Sequence, residues 1–178
     1  MNAKLGTFTK SEVKKAATAA YREYEEYLHK IAMRADFIME EAAKQDKKVI
    51  VLAGRPYHVD PEINHGIDKL IAALGFAVIS EESVNRRVPR FKVNLRNQWT
   101  YHARLFSAAK FVTTKPNLFM VHLVSFGCGL DAITSDEIRS ILENSEMLYT
   151  QLKIDEVTNL GAVKIRLRSL LAAIEQKE

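Results

Sequence analysis

"KVIVLAGRPYHVDPEINHGIDKLIAALG", residues 48–75, decides the fold. It opens on a short aliphatic, β-branched run that ends at Gly54 and reads as a strand. Asp60 then stands as an N-cap, Pro61 falls in the first turn and Gly75 is the stop, so a helix is expected between them. A strand leading into a helix is the first half of a parallel crossover unit, and the chain downstream repeats it. "FAVIS" (76–80) reads as a second strand. "NLRNQWTYHARLFSAAKFV" (94–112) reads as a helix, with Leu95, Trp99, His102, Leu105, Phe106, Ala109 and Val112 on one stripe. "LFMVHLVSF" (118–126) is a third strand, and "TSDEIRSILENS" (134–145) a helix opened by a Thr134–Glu137 capping box. "MLYTQLKID" (147–155) is a fourth strand. "NLGAVKIRLRSLLAAIEQ" (159–176) is a closing helix on Leu160, Val163, Leu167, Leu170, Leu171 and Ile174.

Strands that alternate with helices predict a parallel sheet covered on both faces. The first and third runs are almost uninterrupted and apolar, as in central strands. The fourth alternates, with Tyr149, Gln151 and Lys153 on one side, which suits an edge. The expected fold is α/β, a flavodoxin-like (Rossmann-like) four-stranded sheet in the order 2-1-3-4. Its ligand crevice would lie at the carboxyl ends of strands one and three, where the winding reverses. Gly54–Arg55 and Gly127–Cys128 would face each other there, on the order of 5–10 Å apart, one or two strand spacings.

Ahead of this unit, residues 10–45 carry apolar side chains at steps of three and four, from Val13 and Ala17 through Tyr24, Tyr27 and Ile31 to Ala42. A continuous helix of that length is roughly 50 Å long. It must bend or reach past the domain, although a core-facing stripe is the commoner fate of such a pattern. The expected organisation is an N-terminal helical segment, 1–46, and an α/β domain, 47–178.

Composition bounds function only broadly. Hydrophobic residues make up 47% and charged residues 27%, a globular balance that argues against disorder. The 26 Lys and Arg against 22 Asp and Glu leave +4, too mild to suggest nucleic acid as a partner. One cysteine rules out an internal disulfide and fits a reducing, cytoplasmic setting. The N-terminus has no apolar signal core and no stretch suits a membrane span. Neither a GxGxxG nor a Walker A sequence occurs, so dinucleotide and P-loop readings lack support.

Two loops carry the chemistry. "GRPYH" brings Arg55, Tyr57 and His58 to the first strand end, ahead of a helix N-terminus. A guanidinium beside free helix amides favours a phosphate or carboxylate. The alternative is a structural loop in which Arg55 pairs with a local acid and Tyr57 packs. On the other loop, "SFGCGLD", the candidates are Ser125, Gly127, Cys128 and Gly129. Cys128 suits a small buried residue, a nucleophile with His58, His65 or His122 as base, or one of several metal ligands. Asp155 and Glu156 end the fourth strand on the same edge, as acid–base groups or as anions favouring the next helix. His122, inside a strand, and His102, beside Trp99, read as packed histidines. Arg86, Arg87, Arg90 and Lys92 in "NRRVPRFK" read as a solvated basic loop.

Long stretches in order, "VLAGRPYHVDPEINHGIDKLIAALGFAVISEESV", "NQWTYHARLFSAAKFV", "LVSFGCGLDA" and "LKIDEVTNLGAVKIRLRSLLAAI", resemble one kind of protein. They are similar to the large fused activator and dehydratase-like proteins of the 2-hydroxyglutaryl-CoA dehydratase superfamily, the CoA-substrate-specific enzyme activases, many from anaerobic bacteria. The resemblance runs from about residue 49 to 174. It implies one lobe of a 2-hydroxyacyl-CoA dehydratase or activase system, inactive in isolation, whose partners are other domains of a larger parent and CoA or acyl-CoA. Those dehydratase-like subunits hold a [4Fe–4S] cluster on cysteines, and "FGCG" resembles one such position, which makes Cys128 the candidate ligand. The chain departs from the pattern in having no second cysteine and no Gly-rich ATPase motif. Either the remaining cluster ligands lie in other parts of the full-length parent or there is no cluster at all, and none is expected in the isolated chain. The alternative from another class is a non-catalytic anion-binding or assembly module.

Overall fold

The two apolar runs form the centre of the sheet. In the computed structural model, which describes residues 8–125, 127, 129–154 and 160–176, β1 (Val49–Ala53) and β3 (Leu118–Val124) are buried at every position. β2 (Ala77–Ser80) flanks β1 and β4 (Tyr149–Lys153) flanks β3, giving the all-parallel order β2-β1-β3-β4. The order 2-1-3-4 read from the strands is the one observed. Pairing sets Ala53 beside His122 and His122 beside Gln151, so the strand ends share one edge.

The pleat sends alternate residues of the central strands into two cores. Val49, Val51, Leu118 and Met120 pack against α1 (Lys10–Lys44), α4 (Thr100–Val112) and α5 (Gly129–Glu143), through Ala42, Phe106 and Ile138. Ile50, Leu52, Phe119 and Val121 pack against α3 (Ile67–Ala73) and α6 (Gly161–Glu175), through Ile71, Leu167 and Ile174. Each such Leu or Ile contributes about 1.5–3 kcal/mol on burial. Both faces of the sheet are thus filled.

Two helix starts and one helix interior differ from expectation. Asp60 does cap α2 (Pro61–Asn64), accepting from the Glu62 amide at 2.9 Å, and Gly75 does end α3 at φ +95°. Between them the helix breaks, because His65 and Gly66 are both left-handed and the Asn64 side chain accepts from the Gly66 amide at 2.8 Å. α4 starts at Thr100, six residues later than the stripe suggests, with the Asn94 amide held by the buried Glu137 carboxylate at 2.9 Å. Glu137 is therefore no capping-box partner. α5 already starts at Gly129, and Thr134 lies inside it, its hydroxyl donating to the Leu130 carbonyl at 2.7 Å.

α1 divides into two halves. Ala35, Met39 and Ala42 join the core, whereas Val13, Tyr21 and Tyr24 are exposed. Its start is fixed by a capping box that the sequence reading passed over: Thr9 accepts from the Glu12 amide and Glu12 from the Thr9 amide. The basic loop is only partly solvated. Arg86 pairs with Glu25 at 2.7 Å, and Arg87 donates to Asp36 and to the Ala32 carbonyl, which ties the loop to α1. Among the described residues no helix is long and apolar enough to cross a membrane.

Candidate functional site

A glycine makes the first half of the site possible. At Gly54 a Cβ would collide with the His58 ring and stand 3.1 Å from the Leu123 carbonyl. Without that Cβ, the short 3₁₀ turn Pro56–Val59 can fold His58 back under the strand end. There the Arg55 amide donates to His58 Nδ1 at 3.0 Å. The remaining ring proton is therefore on Nε2, which donates to Ser125 Oγ. One imidazole stitches the β1 loop to the β3 loop.

Arg55 makes the second stitch. Its Nε and Nη2 reach Asp131 Oδ1 at 3.3 and 2.8 Å, across 76 residues of chain and onto the first turn of α5. Tyr57 lies edge-on to His58 at 4.7 Å and is partly exposed. Three of the expected residues, Arg55, His58 and Ser125, thus meet at the switch point. Gly127 lies exposed beside them, and Gly129 begins α5. Among the described residues nothing lies within 4 Å of a Cβ built at Gly127 or Gly129, so close packing is not what their glycines serve. Cys128, Asp155 and Glu156 lie outside the described residues.

Electrostatics around the two stitches favour neutral imidazoles. The His58 pKa is pushed down to about 4, mainly by burial, with Asp131 opposing and the Arg55 guanidinium adding to the fall. His122 is likewise near 4 through burial, and its Nδ1 lies 3.1 Å from the Tyr149 hydroxyl, so the expected packed histidine is what the fold contains. His102 is also lowered by burial and by Arg55. Its Nδ1, however, has no hydrogen-bond partner among the described residues.

Beside this crevice lies a group that the sequence reading missed. Glu81, buried at the end of β2, is held by Arg104 at 2.6 Å. Arg104 also reaches Glu82 at 3.2 Å, and the Tyr27 hydroxyl donates to Glu82 at 3.0 Å. Burial raises the Glu81 pKa and Arg104 opposes it. A cavity of about 170 Å³ joins these residues to Arg55 and His58. The signal was "SEES", two acids directly after a strand on the ligand edge.

The CoA enzyme activase uncharacterised domain family matches residues 1–84. Those residues, just under half of the chain, are similar to that family. No curated protein and no solved structure matches the chain. The activase match takes in α1, β1, β2 and, at the site, Arg55, His58, Glu81 and Glu82. Ser125, Asp131 and Arg104 follow it in sequence.

The superfamily that the sequence resembles implies a [4Fe–4S] cluster, and the donor set does not fit one. Such clusters are held mainly by several thiolates. This chain has one cysteine, and among the described residues no group of three or more His, Cys, Asp or Glu is arranged to hold a metal ion. With one cysteine in the sequence, the described residues do not supply a cluster site.

Proposed function

We propose that the chain is one lobe of a CoA-substrate enzyme activase or 2-hydroxyacyl-CoA dehydratase-like protein. Its strand-end crevice binds the anionic part of a phosphate-bearing ligand such as CoA or an acyl-CoA, in a site completed by other segments of a cytoplasmic parent. One observation carries the reading: the β1 and β3 loops meet at the switch point through Arg55–Asp131 and His58–Ser125. That is where open α/β sheets bind their ligands.

The hydrogen-bond polarity favours binding over catalysis. His58 has its acceptor nitrogen on the Arg55 amide and its proton aimed at Ser125, so it cannot take a proton from Ser125. The Ser125 oxygen already accepts, which turns its own proton toward a ligand oxygen. Arg55 supplies positive charge, and its pairing with Asp131 fixes where that charge stands. The lobe is inactive in isolation. Cys128 is the single thiolate it can offer to a cluster held by the parent.

Calorimetric titration with CoA tests this on wild type and Arg55→Ala. Loss of one charge-assisted contact is expected to weaken binding roughly tenfold or more. Equal affinity in both would remove Arg55 from the site. No binding to either would favour a second reading, an assembly module, which the exposed Val13, Tyr21 and Tyr24 on α1 support. Anaerobic reconstitution followed by iron and sulfide analysis is expected to leave the monomer without cluster. A stoichiometric cluster would sink the parent-held reading.

A further inference from the structure

Along α1 the apolar side chains follow one seam of heptad period, with Leu28, Ala35 and Ala42 seven residues apart and Ile31 and Ile38 between them. This part of the seam packs on the domain, where Leu28, Ala35 and Ala42 are buried. The same seam continues toward the amino end through Tyr24, Tyr21 and Ala17. There its large side chains lie open: Tyr21 is 73% exposed, and Val13, Tyr24 and Tyr27 are exposed beside it. Residues 10–27 span about 27 Å at 1.5 Å per residue. At the inner end of this open length, Tyr24 and Leu28 line a cavity of about 770 Å³ together with Tyr101 of α4.

Charge divides the open length in two. Lys10, Lys14 and Lys15 stand against Glu12 at its start, whereas Glu23, Glu25 and Glu26 stand against Arg22 farther along. A basic start opposes the helix dipole, which favours acids there. Lys10, Lys14 and Lys15 make no ion pair or hydrogen bond among the described residues. Glu25 pairs with Arg86, but both side chains stay more than half exposed. Size divides the same way, with Ala17 and Ala20 in the basic half and Tyr21, Tyr24 and Tyr27 after them. Tyr24 and Tyr27 stack at 6.5 Å and Glu82 holds the Tyr27 hydroxyl, so the bulky half is already set in place. A small, basic half is thus followed by a bulky, acidic one.

We propose that a second copy of this chain covers the open seam, the two exposed halves of α1 packing antiparallel. With Ala17 of each copy facing Tyr21 of the other, Lys14 falls beside the second copy's Tyr24 and Glu25. Val13 then falls beside its Tyr27. Small side chains meet large ones, and each basic start meets an acidic stretch. A parallel pair would instead set Lys14 against Lys14 and Tyr21 against Tyr21. In the antiparallel register the start of each helix, with its exposed Phe8, reaches the cavity between Tyr24, Leu28 and Tyr101 of the other copy. A seam this short makes a small, reversible interface, below about 1,200 Å². The dimer lies on α1 and does not rest on the crevice reading.

Sedimentation velocity of the full chain, from about 1 to about 200 μM, measures the self-association. Wild type is expected to pass from monomer to dimer within that range. Tyr21→Glu changes an exposed residue, so the urea midpoint should hold while the dimer weakens roughly tenfold or more. Lys14→Glu and Glu25→Lys each bring like charges together across the seam, and each should weaken the dimer roughly fivefold or more. Lys14→Glu combined with Glu25→Lys restores opposite charges and should recover most of the wild-type affinity. A chain that stays monomeric at the top of the range overturns the proposal and leaves the seam to a segment of the parent or to another protein. A dimer indifferent to Tyr21→Glu or to the single charge changes also overturns it. So does a combined variant as weak as the two single ones.

Discussion

Two polar regions lie on the same edge of this sheet, and they treat their side chains in opposite ways. At the strand-end crevice Arg55, His58, Ser125 and Asp131 satisfy one another, and all are at least partly buried. At the start of α4, Arg90 has no partner among the described residues, and neither does His102 Nδ1. Paired groups add stability and fix geometry, while an unpaired buried group costs free energy until something meets it. The contrast teaches which region's polar groups hold the fold together and which region's do not.

Acid should break the crevice first, and by the largest margin. His58 and His122 have pKa values of about 4 in the folded chain, against about 6.5 when unfolded. Above about pH 6.5 both states are neutral at these rings, and their contribution is complete. Between about 6.5 and 4 the unfolded chain takes up protons that the fold refuses, so stability falls as pH falls, by up to about 1.4 kcal/mol per pH unit for each ring. Glu81, whose pKa is raised by burial, offsets part of the loss because the fold accepts its proton more readily. Urea unfolding from pH 7 to 4.5 checks the sum. A flat midpoint would mean that the two rings are not held buried and neutral.

A smaller effect is expected at Gly54. The Gly54→Ala methyl collides with His58, so either the ring leaves Ser125 or the β1 loop shifts against Leu123. Overpacking of this kind costs about 1–3 kcal/mol. Thermal unfolding measures it. An unchanged midpoint would show that His58 does not depend on its close approach to the strand end.

The sequence made the sheet and the crevice legible, but it did not reveal who pairs with whom. Uninterrupted apolar runs betrayed β1 and β3 as central strands, and strand order then located the ligand edge. Arg55, His58 and Ser125 could be named because they directly follow those strands. Asp131 and Arg104 could not, since their partners are chosen across loops by the fold: Arg55 and Asp131 are 76 residues apart. Glu81 directly follows β2 and was within reach of the same reading. The same ignorance of context misplaced the start of α5. Thr134–Glu137 has the local pattern of a cap, yet Glu137 is drawn away to hold Asn94. Along α1, one apolar periodicity covers a half that packs and a half that does not, and only tertiary contact distinguishes them.

Removing one crevice charge sharpens the comparison further. Arg55 and Asp131 are each partly buried, with side chains 27% and 14% exposed. Asp131→Asn leaves a carbonyl to accept from the guanidinium but removes the countercharge. The expected loss is about 1–2 kcal/mol, between the values for exposed and buried pairs. CoA affinity should rise in the same variant, because a competing anion has gone. Lower affinity would show that the positioning of Arg55 by Asp131 outweighs its competition for the guanidinium.

The smallest expected effect has the opposite sign. His102 is buried, though less deeply than His58 and His122, and no described group meets its Nδ1. A buried polar atom without a partner costs about 1–3 kcal/mol, and an apolar ring of similar shape avoids that cost. His102→Phe keeps the edge-on contact with Trp99 while adding a little volume, which returns part of the gain. The net expectation is a stabilisation of up to about 1 kcal/mol. By contrast, His58→Phe should destabilise the chain, since it strands the Arg55 amide and Ser125 together. Urea midpoints of the two variants, read side by side, decide the matter. If His102→Phe destabilises as much as His58→Phe, the imidazole at 102 is part of the fold's own bonding and the difference between the two regions disappears.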